Sequence, residues 1–257
     1  MALRASVTYY HHSGFSVQVN EDLLIFDYWE GTDHQDIPEH FKITPNTLSV
    51  YANVYVFISH AHPDHLDHIV FDWKDHPNIT YVVSYDMPIG IRGKRLAPLD
   101  QLRLSDTVRV SAYDSTDLGV SFMVDVDGLR IFHAGDLNLW HWREESTLRE
   151  IEAAEQAYEK AVAPLIGQHI DICMFPVDPR MGYLFDAGAQ HFILATKPRI
   201  FIPMHWQNRS EISQDFARRA RNKYSDVLSL TKPGEFAQIT FEETELQIQV
   251  VSPQLTY

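Results

Sequence analysis

The sequence predicts an α/β protein of the α+β kind, in which two mixed β-sheets pack together with helices on their outer faces. Strand-like runs occur at the beginning, in the middle and at the end of the 257 residues, while helical periodicity is confined to isolated segments. No long linker rich in Pro, Gly or Ser divides the chain. We therefore expect a single domain over residues 1–257.

Apolar and β-branched residues with short-period alternation indicate the strands. They predict strands at residues 7–10, 15–19, 23–28, 54–59, 120–126, 129–133, 170–175, 199–203 and 238–251. Asp127 and Gly128 form the dipeptide typical of a two-residue hairpin turn, and residues 20–22 are expected to form another turn. The first part of the chain is thus a predicted strand meander.

Helices are predicted where apolar residues recur three and four positions apart. The clearest segment is 144–166, for which Ser146 is the expected N-cap, and 185–196 and 212–224 follow. Residues 31–53, rich in Asp, His and Pro, are expected to form an irregular loop over a site.

Composition limits the classes of partner. The formal net charge of −14 opposes nucleic-acid binding, and Arg218, Arg219 and Arg221 are at the spacing of a solvated helix face. The single cysteine, Cys173, lies in an apolar run, which excludes a disulfide framework. Neither a leader segment nor an apolar run of about 18 residues is visible. We expect a cytoplasmic protein that binds a small-molecule substrate and neither nucleic acid nor membrane, with its oligomeric state left open.

The stretch SHAHPDHLDH follows the apolar run 54–58 and concentrates metal-binding side chains. His60 and His62 are two residues apart, so on an extended segment both side chains point to one side. Pro63 favours the first turn of a helix, which would place Asp64 and His65 at its start, aimed at a second ion. A solvated, histidine-rich helix start would instead scatter its histidines. The ordered pattern indicates a metal site.

The pattern H-x-H-x-D-H after an apolar strand resembles the signature of the metallo-β-lactamase superfamily. Three further segments resemble motifs of the same family: 24–27, which ends in Asp27, 133–136, which ends in Asp136, and 202–205, which ends in His205. The resemblance implies a four-layer αββα sandwich and metal-dependent hydrolysis. Segment 10–15 is similar to the start of the branch that contains ascorbate-6-phosphate lactonase, and segments 115–119, 133–138 and 175–180 look like those of an uncharacterised bacterial group.

The resemblance also implies the roles of individual residues. His60 and His62 match ligands of a first metal ion, Asp64, His65 and His205 match ligands of a second, and Asp136 matches the residue that bridges them. Two divalent ions are therefore expected; zinc is the first choice, and manganese or iron also suits imidazole and carboxylate ligands.

The third histidine of the first site is missing from the expected window 112–117. Asp114 or Asp117 is expected to replace it, and His133 is a weaker alternative because a histidine at that position is not normally a ligand in the resembling branch. A carboxylate in this place would favour manganese, iron or magnesium more than an imidazole does.

The expected chemistry is hydrolysis by a metal-activated hydroxide that Asp64 orients. His12 is the candidate proton donor to the leaving group. Arg180, Asp178 and His133 are the substrate-binding candidates, and Arg180 could pair bidentately with an anionic group.

The sequence thus predicts a hydrolase of a small, anionic lactone, ester or phosphodiester. A degenerate protein that binds metal or ligand without turnover is one alternative, because a ligand histidine is missing. A diiron redox protein is another, although such proteins usually require a flavin domain or partner.

Overall fold

The computed structural model describes residues 2–142, 144–242 and 246–252. The chain divides into two compact units. The first unit contains Met1–Val83, Met87–Arg95 and Leu230–Tyr257, and the second contains Ser84–Asp86 and Leu96–Ser229. The single domain over residues 1–257 stays a prediction.

Each unit is built on a mixed sheet. The strands β1 to β15 are Leu3–Tyr9, Phe15–Val19, Asp22–Phe26, Asn53–Ile58, Ile79–Ser84, Lys94–Leu96, Gln101–Arg103, Val108–Asp114, Val120–Val126, Leu129–His133, Ile172–Pro176, Ile200–Met204, Asp226–Val227, Phe236–Phe241 and Leu246–Val251. The helices α1 to α4 are Pro45–Leu48, Leu148–Val162, Ala187–Thr196 and Ser210–Arg219. Short 3₁₀ helices cover Thr32–His34, Glu39–Phe41, His68–Asp75, Ala163–Leu165 and Pro179–Leu184.

The sheet of the first unit has the order β15-β14-β1-β2-β3-β4-β5-β6. The strands β15 to β3 pair antiparallel, whereas β4 runs parallel to both β3 and β5. Because β4 lies between parallel neighbours, its residues after Asn53 are all buried and apolar. Phe57 of β4 stacks on Phe26 of β3 with ring centroids 4.9 Å apart. This buried strand carries the H-x-H-x-D-H segment at its carboxyl end.

The sheet of the second unit has the order β13-β12-β11-β10-β9-β8-β7. Its strands β10 to β13 are parallel, and β7 to β10 pair antiparallel. Phe192 of α3 packs against Phe132 of β10 and Phe175 of β11, with ring centroids 5.3 and 4.6 Å apart. Three adjacent parallel strands therefore end along one edge, where ligands gather in sheets of this kind.

The predicted start of the long helix is wrong. The helix begins at Leu148, and its N-cap is Thr147 instead of Ser146. The hydroxyl of Thr147 accepts a hydrogen bond from the Glu150 amide, and the Glu150 carboxylate accepts one from the Thr147 amide at 2.7 Å. Thr147 is the N-cap and Ser146 is not, because Glu150 lies three residues after Thr147 and completes a capping box with it.

The helix expected at Pro63 is also absent from the structure. The amides of His65 and Leu66 both donate to the His62 carbonyl at 3.0 Å, so the chain makes a single turn there. The Asp67 carboxylate then caps the 3₁₀ helix His68–Asp75 by accepting from the Ile69 amide. Because Asp67 is the N-cap, the 3₁₀ helix begins at His68, after the candidate ligands Asp64 and His65.

Other expectations agree with the structure in part. The irregular segment 31–53 holds two 3₁₀ helices and the four-residue α1 between its loops. Cys173 is a free, fully buried thiol, and burial raises its pKa. Among the described residues, no helix is long and apolar enough to cross a membrane.

The capping box of α2 can be tested by removing the hydroxyl of Thr147. We expect Thr147→Ala to lower the free energy of unfolding by about 1 kcal/mol, because the amide of Glu150 in the first turn loses the hydroxyl that accepts its hydrogen bond. Ser146→Ala is the matched control and should change it by less than about 0.5 kcal/mol. Urea unfolding followed by circular dichroism measures both, and equal losses would contradict the assignment of the cap.

Candidate metal-binding residues

A carboxylate at the end of β3 organises the end of β4 in the first unit. Asp27 accepts hydrogen bonds from the amide and the hydroxyl of Ser59, at 2.7 and 2.6 Å. The Ser59 oxygen lies 2.9 Å from Nδ1 of His60. Since the single hydroxyl hydrogen of Ser59 goes to Asp27, Nδ1 of His60 must be the donor in the second contact. The Nε2 atom of His60 therefore keeps its lone pair, as a metal ligand requires.

The same carboxylate orients a second histidine. Nδ1 of His65 lies 2.8 Å from Oδ2 of Asp27, and both residues are fully buried. The carboxylate accepts the Nδ1 proton, so Nε2 of His65 is also the nitrogen with the lone pair. Gly14 packs closely against the backbone of Asp27, because a Cβ there would lie 2.9 Å from the His11 carbonyl and 3.3 Å from that of Asp27.

His12, Asp64 and His65 form a compact group of donors. One ligand atom from each lies within 4.8 Å of the others, and Nε2 of His12 is 3.2 Å from Oδ2 of Asp64. Ligands about 2.0–2.2 Å from an ion lie within about 4.4 Å of one another. The 3.2 Å between His12 and Asp64 is within that range. Nε2 of His60 lies 3.0 Å from Nδ1 of His62. The first unit thus brings together the five residues that the sequence predicted from this unit.

In the second unit, the candidate residues follow three neighbouring parallel strands. Asp136 comes after β10, Asp178 after β11 and His205 after β12. Nδ1 of His205 lies 2.8 Å from Oδ2 of Asp178, and Nε2 of His205 lies 3.3 Å from Oδ1 of Asp136. Asp178 fixes the Nδ1 proton, so the Nε2 lone pair faces the carboxylate of Asp136.

Two lone pairs at 3.3 Å repel each other unless a cation lies between them. That cation is either a proton, which would make His205 an imidazolium, or a metal ion. Nitrogen and carboxylate oxygen from oriented, buried residues are a donor set that zinc, manganese and iron accept. The residues of the second unit therefore fit a divalent metal.

Asp178 is held as an anion. Burial alone would raise its pKa, but the hydrogen bonds from His205 and Arg180 lower it to about 2. Arg180 donates from Nε to both oxygens, at 3.0 and 2.9 Å. In the structure, the carboxylate of Asp178 lies against Nδ1 of His205 and accepts hydrogen bonds from the guanidinium of Arg180. The substrate-binding role predicted for the two residues stays a prediction.

The structure separates the two candidates for the missing ligand. One carboxylate oxygen of Asp117 lies within 4.8 Å of one of Asp136. Asp114, at the exposed end of β8, accepts from the Ser115 amide and belongs to no group of candidate ligands among the described residues. The hydroxyl of Thr116 accepts from the Asn138 amide at 2.9 Å, which ties the Asp117 loop to the Asp136 loop. The geometry favours Asp117.

His133 faces the turn before Asp136. Its Nδ1 accepts from the Gly135 amide at 3.2 Å, and the residue is fully buried. The contact supports the left-handed backbone of Gly135, which has φ of 54°. In this structure His133 positions the loop of a candidate ligand.

Sequence reasoning missed the supporting role of Ser59. Its position directly before the first histidine and after a buried strand was a signal, since a ligand histidine usually donates its other nitrogen to a nearby oxygen. Asp27 was noticed as a family motif, but its contact with two histidines depends on the pairing of β3 with β4.

Comparison with known proteins identifies the family of the domain. A family model described as a beta-lactamase superfamily domain matches residues 6–155. A metal-dependent hydrolase of Heliobacterium modesticaldum is 24% identical over 233 residues, 82% of this chain and 86% of that protein. One of Opitutus terrae is 26% identical over 260 residues, 91% of this chain and 99% of that protein.

Solved structures share the fold. Igni18, a metallo hydrolase from the archaeon Ignicoccus hospitalis, aligns with a TM-score of 0.67 at 16% identity over 93% of this chain and 100% of that chain. CmlA, a diiron β-hydroxylase from Streptomyces venezuelae, aligns with a TM-score of 0.57 at 12% identity. The alignment covers 92% of this chain and 54% of that chain. At these identities the likeness shows the fold, and the predicted α/β class with two mixed sheets and helices is confirmed.

The role of Asp178 is testable against Asp171, a buried aspartate at the other end of β11 that accepts from the Arg130 amide. We expect Asp178→Asn to weaken metal binding about 10-fold to 100-fold, because His205 loses the carboxylate that fixes its tautomer. Asp171→Asn should lower stability and leave metal affinity unchanged. Competition with a chromophoric chelator measures the affinities, and equal weakening in both variants would sink the assignment.

Proposed function

The chain belongs to the β-lactamase superfamily and is a metal-dependent hydrolase, and we propose that it cleaves a small, anionic lactone, ester or phosphodiester. The observation that supports the proposal best is that three buried histidines have the same tautomer, with the proton on Nδ1. His60, His65 and His205 each use Nδ1 for a neighbouring oxygen, which leaves Nε2 for a metal. A solvated cluster of histidines would have no reason to fix one tautomer three times.

We propose a ligand set that follows the family motifs residue by residue. It consists of His60, His62, Asp64, His65, Asp136 and His205, with Asp117 in place of the missing histidine. His12 is outside this set, and its Nε2 lies 3.2 Å from Oδ2 of Asp64. Two ions, zinc in the first instance, account for this number of donors, and the carboxylates leave manganese and iron as suitable alternatives.

Divalent ions bound here would lower the pKa of a water molecule towards about 7 and polarise the carbonyl or phosphoryl oxygen of the substrate. The chain supplies orientation and proton handling. Asp64 is half-exposed and its Oδ2 contacts His12, so the pair can pass a proton between water and a leaving group. His12 is itself buried, with its amide donating to the Tyr9 hydroxyl at 3.0 Å, which holds its backbone in place.

Arg180 is the proposed contact for the anionic part of the substrate. Its side chain is 52% exposed, and Asp178 holds Nε in a fixed direction. The guanidinium carbon lies 5.9 Å from the centroid of the Trp142 ring, which further limits its motion. A pre-oriented guanidinium loses less entropy when it pairs with a carboxylate or phosphate.

Two other functions predict different metal behaviour. A diiron redox protein would require iron for activity and would consume dioxygen. CmlA shares only its fold with this chain. A degenerate protein would bind fewer ions and hydrolyse nothing. Metal content, metal dependence and turnover together separate the three functions.

The hydrolase proposal can be tested on metal-depleted protein that is refilled with zinc, manganese or iron. We expect refilled protein to hydrolyse members of a panel of chromogenic lactones, esters and phosphodiesters. His60→Ala and Asp136→Ala should each lower kcat/KM at least about 100-fold, whereas His68→Ala, on an exposed histidine outside the ligand set, should not. Activity that is the same in all four proteins would contradict metal-dependent hydrolysis.

Metal content distinguishes Asp117 from Asp114. Elemental analysis should find about one ion fewer in Asp117→Ala than in the unaltered chain, because a carboxylate ligand is lost. Asp114→Ala makes the same chemical change three residues earlier in the chain and should keep the full metal content. A loss in Asp114→Ala alone would reverse the assignment.

A further inference from the structure

A polar pocket lies on one face of the sheet of the second unit. It has a volume of about 460 Å³, and three of its lining residues are Arg103, Arg109 and Arg130. The other lining residues are Gln101, Leu102, Val110, Ser111, Tyr113, Met123, Asp125 and Gln168. A pocket of this size suits a small molecule.

The arginines are aligned by the register of four strands. Arg103 of β7 is paired with Arg109 of β8, Arg109 with Asp125 of β9, and Asp125 with Arg130 of β10. Partners directly opposite each other in a sheet point to the same face. The four side chains therefore form one row across the sheet, which we call the arginine row.

The pair of Arg103 and Arg109 within the arginine row is electrostatically unfavourable without a ligand. Like charges directly opposite each other in an antiparallel pair are destabilising, and Arg103 faces Arg109. The lining holds three arginines against one carboxylate, Asp125, which already accepts from Nε of Arg130 at 2.7 Å. Arg103 also pairs with Asp106, outside the pocket. An excess of positive charge is thus concentrated in a chain whose formal net charge is −14.

Protection of a sheet edge explains only part of the row. Charged side chains on an edge strand hinder pairing with other chains, and β7 is at the edge of its sheet. Arg109 and Arg130 lie on the interior strands β8 and β10, where that reason does not apply. Their positions are better explained by a bound anion.

Further donors surround the row. Ser111 and Tyr113 follow Arg109 at every second position of β8, so strand alternation puts them on the same face. Within residues 2–142, 144–242 and 246–252, the side chains of Arg109, Ser111 and Tyr113 make no hydrogen bond to the protein. Arg130 is fixed in place, because Nη1 also donates to the Gln168 amide oxygen at 3.0 Å. The pocket therefore offers donors in excess of acceptors.

We propose that this pocket binds a small polyanion, a molecule with two or more phosphate or carboxylate groups. Guanidinium groups pair bidentately with either kind of group, and two arginines opposite each other suit two adjacent anionic groups. None of the lining residues belongs to the proposed ligand set or to the substrate contacts. The site is thus additional to the proposed function and does not depend on it.

Direct binding to metal-free protein tests the proposal, since pyrophosphate would otherwise take up metal. In isothermal titration at constant ionic strength, we expect pyrophosphate to bind at one site per chain. Arg109→Ala should weaken binding about 10-fold, as expected for the loss of a charge-assisted hydrogen bond. Arg218→Ala removes the same charge from an exposed arginine of α4 and should leave the dissociation constant within about twofold.

Thermal unfolding provides a second measurement. Without ligand, Arg109→Ala should melt no lower than the unaltered chain, because it removes the Arg103–Arg109 repulsion. Pyrophosphate should raise the melting temperature of the unaltered chain and not that of the variant. No saturable binding to the unaltered chain, or equal weakening by Arg109→Ala and Arg218→Ala, would overturn the proposal.

Two further probes identify the anionic groups. Equal affinity for ADP and pyrophosphate would show that the phosphates alone are bound, whereas tighter binding of ADP that is lost in Tyr113→Ala would show a nucleotide. Citrate binding that depends on Arg109 would extend the site to carboxylates. Because no turnover is measured, the outcome is independent of the hydrolase experiment.

Discussion

The candidate site depends on aspartates that fix the protonation of histidines. In the first unit Asp27 accepts from Ser59 and His65, and in the second unit Asp178 accepts from His205. An imidazole binds a metal only through a nitrogen with a lone pair, so the residue that takes the other proton decides which nitrogen is available. A divalent ion then gains ligands that need no rearrangement, and this is why loss of a supporting carboxylate weakens binding without removing a ligand.

Some of the residues of the candidate site have strained backbone conformations. Asp27 and His205 directly follow or nearly follow buried strands, and both have positive φ angles, of 41° and 62°. His12 has a φ of 54°. Such conformations cost of order 1 kcal/mol each in non-glycine residues and persist where packing enforces them. The fully buried strands β3 and β12, which directly precede Asp27 and His205, provide that packing for these two residues, so the stability of the sheets is coupled to the geometry of their side chains.

The sequence predicted the strands better than the helix starts. Residues 54–58 of β4 and all residues of β12 are apolar, and the motifs after them are read directly from residue order. The cap of α2 was misplaced by one residue because two hydroxyl residues, Ser146 and Thr147, compete and only the partner at Glu150 decides between them. Asp114 and Asp117, three residues apart in one loop, could not be separated, since the choice depends on contacts with the Asp136 loop.

The arginine row could not be predicted from the sequence either, because it also depends on contacts between segments that are distant along the chain. Arg103, Arg109 and Arg130 are up to 27 positions apart and form no basic run, so composition indicated only an acidic protein. Antiparallel pairing converts that separation into adjacency, because each partner is set by strand register and not by distance along the chain. The net charge of a chain therefore does not limit the charge of a pocket. An overall negative charge even increases the significance of a local positive row, since the surrounding field repels anions from everywhere else on the surface.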